Sequence, residues 1–125
     1  MPTYKSFTEL ECWKIARDIR NAIGKIIKML PKEEQFDLMH NMRRASRSCT
    51  RNIAEGFGRF HYQENIQFCR ISRGSMNELI DDLITCYDDK YISKKMLLEN
   101  KMLIDNGIKS LNGYIRYLGT AKKTG

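Results

Sequence analysis

The chain has 125 residues, 42% hydrophobic and 30% charged, enough for one buried core and too few for two. Against 15 Asp and Glu stand 22 Lys and Arg, and the net charge of +7 favours anionic partners, nucleic acid or an acidic protein, without fixing a fold. No run approaches the ~20 apolar residues of a membrane span, and Met1-Pro2-Thr3-Tyr4-Lys5-Ser6 lacks a signal-type apolar segment, so a cytoplasmic location without a membrane partner is expected.

Only Pro2 and Pro31 interrupt the chain, and strand signatures are weak. Its apolar spacing predicts four helices near 8–30, 32–57, 61–91 and 93–119, in one domain spanning 1–125. The first takes Thr8 as N-cap and carries Leu10, Trp13, Ala16, Ile19, Ile23, Ile26, Ile27 and Leu30 on one stripe until Pro31 stops it. Lys32-Glu33-Glu34 opens the second, where acidic groups suit a helix N-terminus; Leu38, Met42, Ala45, Cys49 and Ile53 follow, and Gly56-Phe57-Gly58 ends it.

The third begins between His61 and Glu64, with His61 and Glu64 read as capping residues. Phe68, Ser72, Ser75, Leu79, Leu83 and Cys86 share its core face, flanked by Ile71, Met76 and Ile80. Ser93 caps the fourth, in which Leu97, Ile104, Ile108, Leu111, Ile115 and Leu118 repeat as a bundle seam before Gly119. Gly107 and Gly113 each weaken that helix by about 1 kcal/mol relative to alanine, and residues 120–125 are expected to fray. Short connections between long helices imply an all-α, antiparallel up-down-up-down four-helix bundle.

Cys12, Cys49, Cys69 and Cys86 are scattered singly, without C-x-x-C or zinc-finger spacing, which predicts reduced, buried thiols. The most informative charged residues are Arg43, Arg44, Arg47 and Arg51. Taking Arg43 as zero and about 100° per residue, they fall near 0, 100, 40 and 80°, whereas Leu38, Met42, Ala45, Cys49 and Ile53 cluster near 200 to 280°. The arginines therefore face away from the core. Arg59, Arg70 and Arg73 follow, so residues 43–73 hold seven arginines, no lysine, and only Glu55 and Glu64 as acids. Arginine suits bidentate contact with phosphate or carboxylate. An anion-binding face and a merely solvated or subunit-paired face both remain open on this pattern.

Catalytic motifs are weak. Asp37-Leu38-Met39-His40 resembles half of a di-iron motif but has aspartate for glutamate and no second copy. Gly56-Phe57-Gly58-Arg59 lacks the Lys-Ser/Thr of a phosphate loop, and no nucleophile elbow occurs. No catalytic residue, metal, cofactor or small-molecule substrate is expected. Glu78, Asp81, Asp82, Asp88 and Asp89 form an acidic patch on the third helix, read as a solvated face or a subunit contact. No exposed aromatic cluster is expected to stack bases.

Several motifs carry a family resemblance: Phe7-x-x-Leu10-x-x-Trp13-x-x-Ala16, Pro31, Arg43-Arg44-Ala45 with Ser48, Asn52-Ile53-Ala54-Glu55-Gly56-Phe57-Gly58-Arg59, and Phe68 through Gly74-Ser75-x-x-Glu78-Leu79. Together they resemble the four-helix-bundle proteins encoded in intervening sequences of bacterial 23S ribosomal RNA genes. The resemblance implies an antiparallel bundle that forms a homopentamer with a basic surface, related to accessory proteins of diversity-generating retroelements that bind a reverse transcriptase and nucleic acid. The chain departs from the usual pattern with Asn41 for glutamine, Cys49 for an aliphatic residue, and the additional Arg47 and Arg51.

Within the shared motif, Asn52 and Gly56 fall near about 180 and 220° on the second helix. Glycine there permits close helix approach, and the amide needs a partner such as Glu78 or Ser75. Asn52, Glu55, Gly56, Gly74, Ser75 and Glu78 are accordingly read as structural. Tyr4, Phe7, Ile80, Ile84 and Tyr87 lie beyond one bundle seam and are expected to be covered by neighbouring subunits. The expected function is non-enzymatic: an oligomer binding RNA or DNA through its arginines, or accessory to a nucleic-acid enzyme. An adaptor for an acidic protein is the alternative, and a metal-dependent enzyme a distant third.

Overall fold

The structure, a computed structural model, describes residues 4–124, and the side chains of residues 4–121. Four long helices dominate it: α1 (Glu11–Ile27), α2 (Leu38–Phe57), α3 (Tyr62–Asp88) and α4 (Lys94–Thr124), with 3-10 turns at Phe7–Glu9 and Lys32–Glu34. There is no β-strand among the described residues, and no helix long and apolar enough to cross a membrane.

The helix ends differ from the sequence expectation for local reasons. Ser6 Oγ accepts from the Thr8 amide at 3.1 Å and so caps the first 3-10 turn, displacing Thr8 from the capping role. Leu10 precedes α1 in extended conformation with no side-chain cap, held instead by burial to 2% exposure. Glu33 and Glu34 likewise fall in the second 3-10 turn, not in the first turn of α2. From there Glu34 accepts a 2.8 Å hydrogen bond from Tyr91 Oη, tying the α1–α2 connection to the α3–α4 connection. His61 makes no side-chain capping bond to α3.

α3 stops at Asp88 because Lys90 enters the left-handed region at φ 66°, which turns the Tyr91 amide onto Cys86 O at 2.8 Å and the Lys90 amide onto Tyr87 O. That is a Schellman closure built on lysine, without the glycine that usually marks it in a sequence. Ser93 caps α4 as expected, accepting from the Met96 amide at 3.2 Å. Gly119 does not end α4: the helix continues to Thr124, since Leu118 and Ala121 are still buried beside it. The helix thus runs past the end expected at Gly119, and Gly125 lies outside the described residues.

α1 and α3 each pack against both α2 and α4, and neither α1–α3 nor α2–α4 makes a close approach among the described residues. Leu10, Ile19, Ile23, Met42, Ile53, Met76, Leu79, Leu83, Ile104 and Leu111 fill the space enclosed. Tyr4, Phe7 and Ile80, expected to wait for a neighbouring subunit, pack on this core; Phe7 meets Trp13 edge-on at 5.4 Å. Ile84 and Tyr87 do remain exposed. All four cysteines are free and buried. Burial pushes the thiols of Cys12, Cys49 and Cys69 up to about 12 and that of Cys86 to about 11, so they stay protonated and unreactive.

The α2–α3 seam is polar and close. Ser75 Oγ meets Ser48 Oγ at 2.8 Å, Ser72 Oγ donates to Cys49 O at 2.7 Å, and Arg44 pairs with Glu78. Partner numbers fall along α3 as they rise along α2, so these two helices run in opposite directions. Asn52 finds its partner inside α2: its amide donates to Ser48 O and Ser48 Oγ at 2.9 and 2.8 Å, reaching Ser75 only through Ser48. No buried side-chain nitrogen or oxygen is left without a partner among the described residues.

Gly56 is the tightest point of this seam. A Cβ there would lie 2.6 Å from Asn65 Oδ1, 2.9 Å from Phe68 Cβ and 3.0 Å from Asn65 O. Gly74, from the same motif, is exposed within α3, and nothing lies within 4 Å of where its Cβ would stand. The two glycines should therefore respond oppositely. Gly56→Ala should lower stability by about 1–3 kcal/mol through overpacking against backbone, whereas Gly74→Ala should raise it by about 1 kcal/mol through helix propensity. Urea midpoints at constant m-value measure both, and a neutral Gly56→Ala would contradict the close approach.

Candidate nucleic-acid interface

Arg43, Arg47 and Arg51 are all exposed and spaced four residues apart on α2, so their Cα atoms form a row climbing about 6 Å per step and rotating about 40°. None of the three forms an ion pair among the described residues. α1 brings further cations to this row. Half-buried Arg20 donates through Nη1 to Thr50 Oγ1 at 3.2 Å, and Thr50 in turn donates to Arg47 O at 3.2 Å. Arg20 is thereby held against α2 with the rest of its guanidinium donors free to point elsewhere. Arg20, Gly24 and Ile27 of α1, Lys28 just beyond its end, and Arg43, Ser46 and Arg47 of α2 line a groove of about 300 Å³. Four cations and no acid border it.

The other arginines of the expected site are otherwise engaged. Arg44, one position from Arg43, turns to the α3 flank, donating to Asn41 Oδ1 at 2.9 Å and pairing with Glu78. Arg59 pairs with Glu55 at 2.8 Å and Glu64 at 3.6 Å and lies 4.8 Å over the Phe68 ring, clamping the α2–α3 turn. Arg73 ties α3 to α4 through Asn112 Oδ1 at 2.8 Å. Arg70 is exposed on α3. The seven arginines therefore do not form one patch: Arg43, Arg47 and Arg51 share a face, while Arg44, Arg59 and Arg73 bridge structure.

Arg20 and Lys28 are the contributors that sequence reasoning missed. Their signal is an Arg20, Gly24, Lys28 spacing of four that runs to the C-cap of α1, which marks a cationic stripe but not its neighbour. The expectation about aromatics also needs correction. Phe60 is 92% and Tyr62 44% exposed at the α2–α3 turn, with His61 between them. Asp37 and His40 are exposed at the start of α2, and no group of three or more potential metal ligands occurs among the described residues.

A protein-family model described as 23S rRNA-intervening sequence protein matches residues 8–113. The chain belongs to that family. The match takes in α1, α2, α3 and most of α4, so both helices of the groove and all seven arginines lie within the part shared with other 23S rRNA-intervening sequence proteins. No curated protein matches the chain.

The acidic patch of this family member lies on the α3 side. Asp82, 7% exposed, accepts from Asn41 Nδ2 through both carboxylate oxygens at 2.9 and 3.2 Å, so Asn41 bridges Asp82 and Arg44. Glu34, Asp37 and Asp89 face the same hollow. Burial, more than any neighbour, pushes the Asp82 carboxyl from 3.8 up to about 6; Asp81 and Glu78 add to this, while Asn41 and Arg44 oppose it. An acid raised in the folded state stabilises most below its unfolded value, and that contribution is lost as pH rises through the folded value. Asp82→Asn should thus be more stable than wild type above pH about 6, with the gap closing below pH about 4. Urea midpoints across that range test it; a gap independent of pH would contradict it.

Proposed function

We propose that this chain is a non-enzymatic nucleic-acid-binding protein, an antiparallel up-down-up-down bundle whose α1–α2 face takes the phosphate backbone without reading base sequence. The observation that carries this reading is the convergence of Arg20, Lys28, Arg43 and Arg47 on one groove with no acid in its lining. Arg51 continues the row along α2. Uncompensated cations repel one another and add nothing to stability, so an anionic occupant is the arrangement that offsets the cost. A row along a helix follows a repeating backbone charge, and phosphate contacts position a protein without specifying bases.

In this reading the protein works in the cytoplasm as a homo-oligomer, the pentamer that the family resemblance implies, and several weak groove contacts add into useful avidity. A role beside a reverse transcriptase, as in the accessory bundles of diversity-generating retroelements, would use the same face to hold template or product. An acidic protein on this face is the competing reading.

Salt dependence separates them. For wild type, log K against log salt for RNA or DNA should fall with a slope of about −0.7 to −0.9 per phosphate neutralised. Replacing Arg20, Arg43, Arg47 and Arg51 by glutamine should flatten that slope by up to about four such increments with helicity retained. Arg73→Gln, which removes the contact to Asn112, should leave the slope unchanged. Equal slopes for wild type and the groove variant would refute the reading and favour the adaptor.

A further inference from the structure

The α2–α3 turn presents two uncovered aromatic rings at the end of the arginine row. On the wheel that sets Arg43 at zero, Gly58, the residue that follows α2, falls at about 60°, within the arc of Arg43, Arg47 and Arg51. Phe60 follows at 92% exposure, and Tyr62, 44% exposed, opens α3. Between them the His61 ring stands edge-on to Phe60, with centroids 4.9 Å apart and planes at 88°.

The backbone under these rings is fixed. The Gly58 amide bonds Ala54 O at 3.2 Å, the Arg59 amide bonds Gly56 O at 3.0 Å, and the Asn65 amide bonds His61 O at 3.2 Å. Arg59, held by Glu55 and Glu64 over Phe68, locks the two sides of the turn together and is neutralised in doing so. An exposed ring on a braced, near-neutral turn offers its face to a partner with little backbone ordering left to complete.

We propose that the nucleic acid bound by this protein is single-stranded, with phosphates along Arg43, Arg47 and Arg51 and unpaired bases stacked on Phe60 and Tyr62. The inference rests on the phosphate-binding reading above. From Arg43 to Gly58 the helix rises about 22 Å, room for several nucleotides of an extended strand. A duplex keeps its base faces inside its own stack and offers the turn nothing. A single strand offers both the charge that matches the row and the π-faces that match the rings, and every base has one, so the binding remains tolerant of sequence.

The test compares a short single-stranded RNA, a base-free phosphodiester oligomer of the same length and a duplex of the same length. Wild type should bind the single strand more tightly than the base-free oligomer. The double variant Phe60→Ala with Tyr62→Ala should lose on the order of tenfold or more for the single strand and keep its affinity for the base-free oligomer and the duplex, with an unchanged salt slope. Phe60→Trp should bind the single strand at least as well as wild type and show fluorescence quenching beyond that of Trp13. Wild-type affinity of the double variant for the single strand, with the salt slope intact, overturns the stacking proposal and leaves the phosphate reading standing. Failure of wild type to bind any of the three overturns both.

Discussion

The close approach of α2 to α3 sets the terms for the rest of the molecule. Gly56 gives up its side chain so that the Asn65 backbone and the Phe68 Cβ can reach it, and further along the seam Ser48, Ser72 and Ser75 bring short hydroxyls where longer side chains would hold the helices apart. Burying those hydroxyls carries little penalty because each has a partner. With its inner arc on the apolar core and one flank on this seam, α2 has only its outer arc and the α1 flank left for charge. Arg43, Arg47 and Arg51 occupy that remainder.

The same constraint sorts the arginines by neighbour. Arg43 and Arg44 are adjacent in sequence but about 100° apart around the helix, and that turn sends Arg44 to Glu78 on α3 while Arg43 goes to the groove with α1. Arg59 and Arg73 brace the α2–α3 turn and the α3–α4 contact. The Arg44 and Arg59 ion pairs are exposed enough to be worth little individually, and what they and the Arg73 hydrogen bond contribute is orientation of the elements they join. The groove arginines have no such partner, and their repulsion is a standing cost that the packed seam on the other flank is able to carry.

How much of this could be read in the sequence follows from where the information sits. Apolar spacing along one helix is local, so all four helices and most of the core were legible, from Ala16 and Ile19 through Leu118. Helix ends were less so: Lys90 forms the left-handed closure of α3 where a glycine would have announced it, and Leu118 with Ala121 carries α4 past Gly119. The outward direction of the arginines came from helix geometry alone. Their partition between α1 and α3, and the joining of Arg20 and Lys28 to Arg43 and Arg47, depends on the register between two helices, which no single-helix pattern encodes. Asn52 shows the same limit, since its polar partner proved to be Ser48 one turn earlier, not Ser75 across the seam.

Membership of the 23S rRNA-intervening sequence family spans both groove helices, and the account places the protein's working surface between them, not on the arginine-rich stretch of 43–73 as a whole. Arginine side-chain NMR tests that claim most directly, because each guanidinium reports its own environment. On addition of RNA, the Nε–Hε signals of Arg20, Arg43, Arg47 and Arg51 should shift together while that of Arg73, held by Asn112, stays still. Shifts confined to Arg59, Arg70 and Arg73, or no arginine shift at RNA concentrations that saturate binding, would contradict it.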